Sequence, residues 1–425
     1  MKVNKLIPLS LVTLLGAGGL VGCGGGGGGG GDKVGKEVIV WATADEEQVL
    51  NEAVRVYNEG KQNDDEKIYI TYSAVQEGDA GAELLKNPTA DSAADLVLIA
   101  DDHVYNLASN GTIANLTSVI GDEVKNNHVD NAVKGVTYDD KIYGAPISND
   151  NGYFLYYNKK YVSDEQAGSL EKLFEAASAA KKKINIDWGT GYYDVMPFVG
   201  PAGGKLSWSV KSSGVKYDIN WDSEELVARA KKLSDLVVAN KDYFATGDDD
   251  YAAEHFKDET VIATVRGTWA YDNLKNAIGE ENLKAAKLPT FDGKQMGSFT
   301  GSKLYAINGL KGGDEGAERR GRAIELMKVL TNKELQLFRF EKRNTIPSRK
   351  DAQGDSRYKD HTNITIDALN AQNAAASIIQ SQSAEGNYWT VGGVIGKAIT
   401  TGNYGEDYTS WQEFMTAECK ILRKD

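Results

Sequence analysis

The run Asp95 to Ala100 (DLVLIA) constrains this chain more than any other segment. Its apolar residues are consecutive and do not alternate, so a strand built from them is buried on both faces, as in a parallel sheet covered by helices. The flanking sequence agrees. Glu37 to Ala42 (EVIVWA) and Lys67 to Tyr72 (KIYITY) are two further β-rich runs. Between them Val49, Ala53, Val56 and Tyr57 recur at helical spacing. A short helical stretch near Ala80 to Lys86 completes a βαβαβ series, which predicts an α/β fold with a doubly wound sheet. Ligands on such sheets bind beyond the carboxyl ends of the strands, here Thr43 to Glu46 and Asp101 to His103. Trp41 closes an apolar strand and is expected in the core.

The middle of the chain changes character. Val136 to Pro146 reads as a hairpin turning at Asp139-Asp140, leading into a strand over Tyr153 to Tyr157. Helices are expected over Leu170 to Lys182 and Glu224 to Ala239, the second with an apolar stripe of Leu226, Ala230, Leu233 and Val237. Asp248-Asp249-Asp250 reads as the cap of a helix beginning at Tyr251, since carboxylates favour the positive end of a helix dipole. A strand over Thr260 to Val265 feeds Arg266-Gly267-Thr268-Trp269 and a helix toward Ile278. Lys303 to Asn308 is another strand, and from Glu315 onward the pattern is almost purely helical.

The N-terminus carries address information. Two lysines among Met1 to Lys5 precede an uncharged apolar stretch, Leu6 to Leu20, the layout of a secretory signal peptide. Leu20-Val21-Gly22-Cys23 resembles a bacterial lipobox, in which Cys23 takes a diacylglyceryl group after cleavage. Gly24 to Gly31 are all glycine, a coil suited to tether a folded body to a membrane anchor. With Cys23 lipidated, Cys419 stands alone and is expected to be a buried, inert thiol. The net charge of −13 argues against nucleic acid as a partner.

The sequence holds no motif for catalysis or cofactor binding. His103, His128, His255 and His361 are scattered, and there is no G-x-S-x-G, P-loop or H-E-x-x-H. Gly392-Gly393-Val394-Ile395-Gly396 follows no predicted strand, so it is not a dinucleotide fingerprint. Neither a cofactor nor a metal is expected. The 21 tyrosines and seven tryptophans are the conspicuous excess. Trp188, Tyr192, Tyr193, Trp269, Tyr388 and Trp389 fall at predicted strand ends or helix starts. There their flat faces could stack on pyranose rings while nearby carboxylates and amides bond the hydroxyls.

Five segments, in order, carry a resemblance. VIVWATADEEQVLNEAVRVYNE, ADLVLIADDHVYNLASNGTIANL, YDDKIYGAPISNDNGYFLYYNKKYV, DYAAEHFKDETVIATVRGTWAYDNL and LPTFDGK resemble the maltose/maltodextrin-binding branch of the extracellular solute-binding proteins that serve ABC sugar importers. The likeness runs from about Glu37 to Gly402. It implies a two-lobed periplasmic-binding-protein-like fold, each lobe a doubly wound, mostly parallel sheet flanked by helices, joined by a hinge that closes on ligand. It implies sugar contacts at Asp45 and Asp102, and a hinge contact at Asn149, Asp150 or Asn151, among which the alignment leaves the choice open. Tyr192, Trp269 and Trp389 fall on the stacking aromatics of the other lobe. The chain also departs from the family pattern. Glu46 replaces a usual lysine, His103 a usual arginine and Ile99 a tryptophan, while Thr190 and Gly393 replace polar contacts.

The expected organisation is a signal peptide over 1–22 and a lipidated cysteine with its tether over 23–35. An N-terminal lobe over 36–147 plus 305–342 and a C-terminal lobe over 148–304 plus 343–425 follow. The chain is then expected to cross between lobes near Ser148, Lys303 and Arg343. The expected role is a monomeric, lipid-anchored protein on the extracellular face of the cell membrane. It captures an oligosaccharide, foremost maltodextrin, and hands it to ABC transporter permease subunits without enzymatic activity. Another glycan, such as a fructo- or xylo-oligosaccharide, is the alternative cargo; a glycosidase and a purely structural surface lipoprotein are the rivals from other classes.

Overall fold

Ten strands form two separate five-stranded sheets, described here by a computed structural model covering residues 35–211 and 214–424. The signal peptide, Cys23 and the polyglycine tether lie outside the described residues. The strands of these sheets are Lys36–Ala42 (β1), Ile68–Ala74 (β2), Leu96–Ala100 (β3), Ala145–Ser148 (β4), Phe154–Asn158 (β5), Lys183–Asn185 (β6), Phe244–Ala245 (β7), Val261–Arg266 (β8), Leu283–Ala286 (β9) and Lys303–Ile307 (β10). The first sheet has the order β2-β1-β3-β10-β4 and the second β7-β6-β8-β5-β9. In each, three neighbouring strands run parallel and the last two pairings are antiparallel.

Burial follows from the side-chain period of two. In β3, the continuous apolar strand, every residue is buried, with β1 parallel on one edge and β10 antiparallel on the other. In β5, Leu155 and Tyr157 enter one core while Phe154 and Tyr156 enter another on the opposite face. In β1, Val38, Val40 and Ala42 point into the core, whereas Trp41 points the other way and is only half-buried. The expectation of a sealed Trp41 is corrected by this alternation, because the opposite face is thinly covered at the strand's end.

Local signals hold closely. Asp139 and Asp140, both at positive φ (50° and 58°), turn the hairpin that pairs Thr137–Tyr138 with Lys141–Ile142. Asp248 accepts a hydrogen bond from the Tyr251 amide at 3.0 Å and caps a helix whose first residue is Asp249. Cys419 is fully buried, and burial pushes its thiol up to about 12.

Three segments connect the two sheets, and they are bonded to one another. The chain leaves β4 for β5, returns into β10 from the strand Ser298–Thr300, and passes once more after the helix Lys333–Arg343. The Asn149 amide donates to the Ile346 carbonyl at 2.9 Å and the Asn151 amide to Gly301 at 3.1 Å. Ser302 Oγ donates to Asn149 Oδ1 at 3.2 Å. The helix Lys333–Arg343 spans the junction: Leu335 packs in the first sheet's core, and Leu337 and Phe340 in a core of the second lobe.

This helix is locked in place by charge. Glu46 has no exposed surface, and Arg339 grips both its oxygens at 2.9 and 3.1 Å. Arg343 pairs with Glu46 as well, and Tyr305 donates to it at 3.2 Å. Burial alone would raise this carboxyl's pKa, but the two guanidiniums outweigh it and hold the group at about 2. Because the folded-state value lies below the usual 4.5, this stabilisation is complete above that value and is lost as pH falls toward 2. Arg339→Met, which strips a buried carboxylate of its bidentate partner, should cost about 3–5 kcal/mol in urea unfolding. Arg357→Met, at an exposed pair with Glu334, should cost under ~1 kcal/mol. Equal costs would mean that the buried pair does not hold the helix.

Candidate functional site

A cavity of about 720 Å³ lies between the lobes, beyond the carboxyl ends of the first sheet's strands. The end of β1 delivers Thr43, Ala44 and Asp45; the end of β2 delivers Gln76, Glu77 and Gly78; the end of β3 delivers Ala100, Asp102 and His103. Strand ends converge because the strands run parallel, so their last residues leave the sheet on one side. Tyr192, Trp269 and Trp389 come from the other lobe. Asn151, Lys303 and Arg343 enter from the connecting segments, with Gln380 beside them. One wall is therefore polar and charged, and the facing wall is aromatic.

Most charge on the polar wall is balanced. Lys303 Nζ lies 2.6 Å from Glu77 Oε1, and Arg343 pairs with Asp45. Burial raises the Glu77 carboxyl, but Lys303 outweighs it and leaves the group below its usual range. Five buried atoms of the lining residues stand without hydrogen-bond partners among the described residues: Thr43 Oγ1, Glu77 Oε2, Asp102 Oδ1, the Tyr192 hydroxyl and Arg343 Nε. Burial, with Tyr193 and the Asp102 carboxylate beside it, pushes the Tyr192 phenol well up. Burial and Asp102 likewise push Glu385 up to about 7.

Each aromatic ring is held from behind. Trp269 is 37% exposed, and its side chain lies beside the Asp249 carboxyl. Arg266 fixes Asp249 at 2.7 Å and is itself tied to Asn185 Oδ1 at 3.0 Å and the Asp248 carbonyl at 2.8 Å. The indole folds back over Gly267, where a Cβ would come within 1.9 Å of the ring. Tyr192 stacks on Phe299 at 5.9 Å and 28°, and Trp389 leans on the same Phe299 at 5.9 Å. The loop carrying Tyr192 rests on the helix Tyr388–Thr401, which carries Trp389. A Cβ at Gly396 would meet the Trp188 carbonyl oxygen at 1.8 Å, so only glycine admits the contact. The glycine-rich stretch 392–396 thus serves helix–loop packing.

The structure brings Asp45, Asp102, Asn151, Tyr192, Trp269 and Trp389 together around the cavity. Asn149 and Asp150 do not line it. Asn149 Oδ1 turns to Ser302, and Asp150, 1% exposed, accepts from Ser148 Oγ at 2.6 Å. Asn151 faces inward and donates to Gln380 Oε1 at 3.1 Å. Glu77, Lys303, Arg343 and Gln380 were not singled out as site residues by the sequence. Lys303 and Arg343 were legible only as crossing points, and nothing local pairs Lys303 with Glu77. Among the described residues no group of three or more His, Cys, Asp or Glu side chains could hold a metal. No described helix is long and apolar enough to cross a membrane.

Comparison with known proteins extends these observations. The family described as bacterial extracellular solute-binding protein matches residues 52–366. No curated protein sequence matches the chain. Among solved structures, the maltodextrin-binding protein MalE1 from L. casei BL23 without ligand is 22% identical, with a TM-score of 0.75 over 92% of this chain and 100% of its own. The maltose/maltodextrin-binding domain MalE from Bdellovibrio bacteriovorus, bound to maltotriose, is 18% identical with a TM-score of 0.73, covering 91% of this chain and 98% of its own. The GacH receptor of Streptomyces glaucescens, known unliganded and with acarbose, is 20% identical with a TM-score of 0.70, covering 92% and 99%. These likenesses bear on fold: a two-lobed α/β architecture.

The glycine contact behind the aromatic wall yields a direct test. Gly396→Ala should force the Trp188–Tyr192 loop off the helix and cost at least about 1–3 kcal/mol of stability by overpacking. Gly189→Ala, where nothing lies within 4 Å of the added carbon, should change thermal unfolding little. Matching melting temperatures for the two variants would show that the contact does not constrain the loop.

Proposed function

Because the chain belongs to the bacterial extracellular solute-binding proteins, we propose that it captures an oligosaccharide of the maltodextrin class by closing its lobes. It then delivers the sugar unaltered to ABC permease subunits. The observation that carries this reading is the facing of three aromatic side chains across the cavity by carboxylates and amides. A pyranose has apolar C–H faces and a rim of hydroxyls, so it is matched by rings on one side and hydrogen-bonding groups on the other. Tyr192, Trp269 and Trp389 are assigned to stacking, and Asp45, Asp102 and Asn151 to hydroxyls. The unpartnered Asp102 Oδ1 and Tyr192 hydroxyl supply an acceptor and a donor for such bonding. Solved structures of this fold with maltotriose and acarbose support the choice of cargo.

Lobe boundaries follow from the same reading: 36–147 with 305–342 on one side and 148–304 with 343–425 on the other. A lipid on Cys23 would hold the folded body at the extracellular face of the membrane through the glycine tether. Cys23→Ala should then release the protein from membranes or leave it unprocessed, with sugar affinity unchanged; a normally processed, membrane-bound variant would contradict the anchor.

A thermal-shift screen over malto-, fructo- and xylo-oligosaccharides tests the cargo. A ligand at 100-fold above its dissociation constant should add about 2.7 kcal/mol. Trp269→Ala and Trp389→Ala should each weaken maltodextrin binding about tenfold while the fold survives. Small-angle scattering should show a smaller radius of gyration with sugar bound. Stabilisation by none of the glycans, or shortening of any of them during incubation, would overturn the reading.

A further inference from the structure

A second cavity, of about 310 Å³, lies on the other side of the Asp101–His103 turn from the sugar cleft. Both lobes line it, and its chemistry differs from that of the cleft. Three aromatic rings form its wall: Tyr105 and Tyr138 from one lobe and Trp208 from the other. Tyr105 meets Tyr138 at 5.1 Å and 76°, and Trp208 at 4.8 Å and 57°. One contact is edge-to-face and the other tilted, so the rings pack on one another across the lobe boundary without forming a flat stack. Trp208 is fixed by its indole N–H, which donates to the Ser381 carbonyl at 3.1 Å.

The charge lining this cavity is of one sign. No lysine or arginine is among the described lining residues, whereas Lys303 and Arg343 line the sugar cleft. Asp139, at the rim, is engaged by Lys141 at 3.0 Å. Asp101 has no such partner. It is fully buried, its Oδ2 accepts the Ser302 amide at 3.2 Å, and the Ser381 hydroxyl is the other donor beside its carboxyl. Burial and the adjacent Asp102 push the Asp101 carboxyl well up, the response of an acid with no cation beside it.

Ring faces carry negative quadrupole charge and attract cations, most strongly where water is excluded. A cation entering this cavity would favour the ionised form of Asp101, so its binding is coupled to loss of the Asp101 proton. Among the described residues no group of three or more His, Cys, Asp or Glu side chains could hold a metal, which argues against a compact inorganic ion here. We propose that the second cavity is a binding site for a small organic cation of the quaternary-ammonium or protonated-amine class, held by the three rings and the Asp101 carboxylate. The site is independent of the oligosaccharide cleft, and neither Asp101 nor Trp208 lines that cleft.

Calorimetric titration of the full-length processed protein with choline, tetramethylammonium and 3,3-dimethylbutan-1-ol tests the proposal. The last is a neutral, near-isosteric analogue of choline and reports hydrophobic fit alone. Both cations should bind, the neutral analogue at least about tenfold more weakly, and Trp208→Ala and Asp101→Asn should each weaken choline about tenfold. Circular dichroism and thermal unfolding establish that each variant is folded. Should Asp101→Asn fail to fold, Tyr138→Ala, at a half-buried ring, supplies the same comparison. Equal affinity for choline and its neutral analogue, no heat from either cation, or choline binding unaltered in folded variants would overturn the site.

Discussion

The burial of Glu46 between Arg339 and Arg343 is the interaction on which the rest of this structure depends. A carboxylate stripped of water is tolerated only with full compensation, and here the compensation comes from the far end of the chain. Satisfying Glu46 draws the helix Lys333–Arg343 under the end of β1. Once there, the helix contributes Leu335 to one lobe's core and Leu337 and Phe340 to the other's. Arg343 then reaches past Glu46 to Asp45 at the cavity rim. One guanidinium thereby links a fully buried charge, an inter-lobe connection and a candidate ligand contact.

The remainder of the inter-lobe contact combines hydrogen bonds between the connecting segments with the packing of Tyr105 on Trp208. Segments near Asn149, Gly301 and Ile346 bond to one another through single backbone and side-chain contacts, while each lobe seals apolar cores of its own. Separate cores joined by short connecting segments favour rigid-body motion of the lobes over deformation within them. The cavity is correspondingly asymmetric. Its polar wall comes from strand ends, whose positions a sheet fixes, and its aromatic wall from loops that need Arg266, Asp249 and the glycines of 392–396 to hold them.

The two inter-lobe cavities show how electrostatic balance separates chemistries on one scaffold. In the larger one Glu77 and Asp45 are neutralised by Lys303 and Arg343, leaving Asp102 and uncharged polar groups to face a neutral guest. In the smaller one the buried Asp101 is unbalanced and the wall is aromatic. Adjacent residues, Asp101 and Asp102, thus face different cavities because a turn of 3-10 helix points successive side chains in different directions.

The sequence by itself determined the local elements and much of the site's inventory. Periodicity over five to fifteen residues located β3, the helix Glu224–Ala239, the Asp139-Asp140 turn and the Asp248 cap, because these depend on neighbours along the chain. The aromatic residues and strand-end carboxylates were legible for the same reason. Tertiary structure alone decided which of Asn149, Asp150 and Asn151 faces the cavity, since a step of one residue in an extended segment reverses the side chain. It alone left Trp41 half-buried, as only the packing of the sheet's second face sets that exposure. It alone paired Glu46 with Arg339, Glu77 with Lys303 and Gly396 with Trp188, residues distant in sequence, whose electrostatic and steric fit has no signature in either partner's own surroundings.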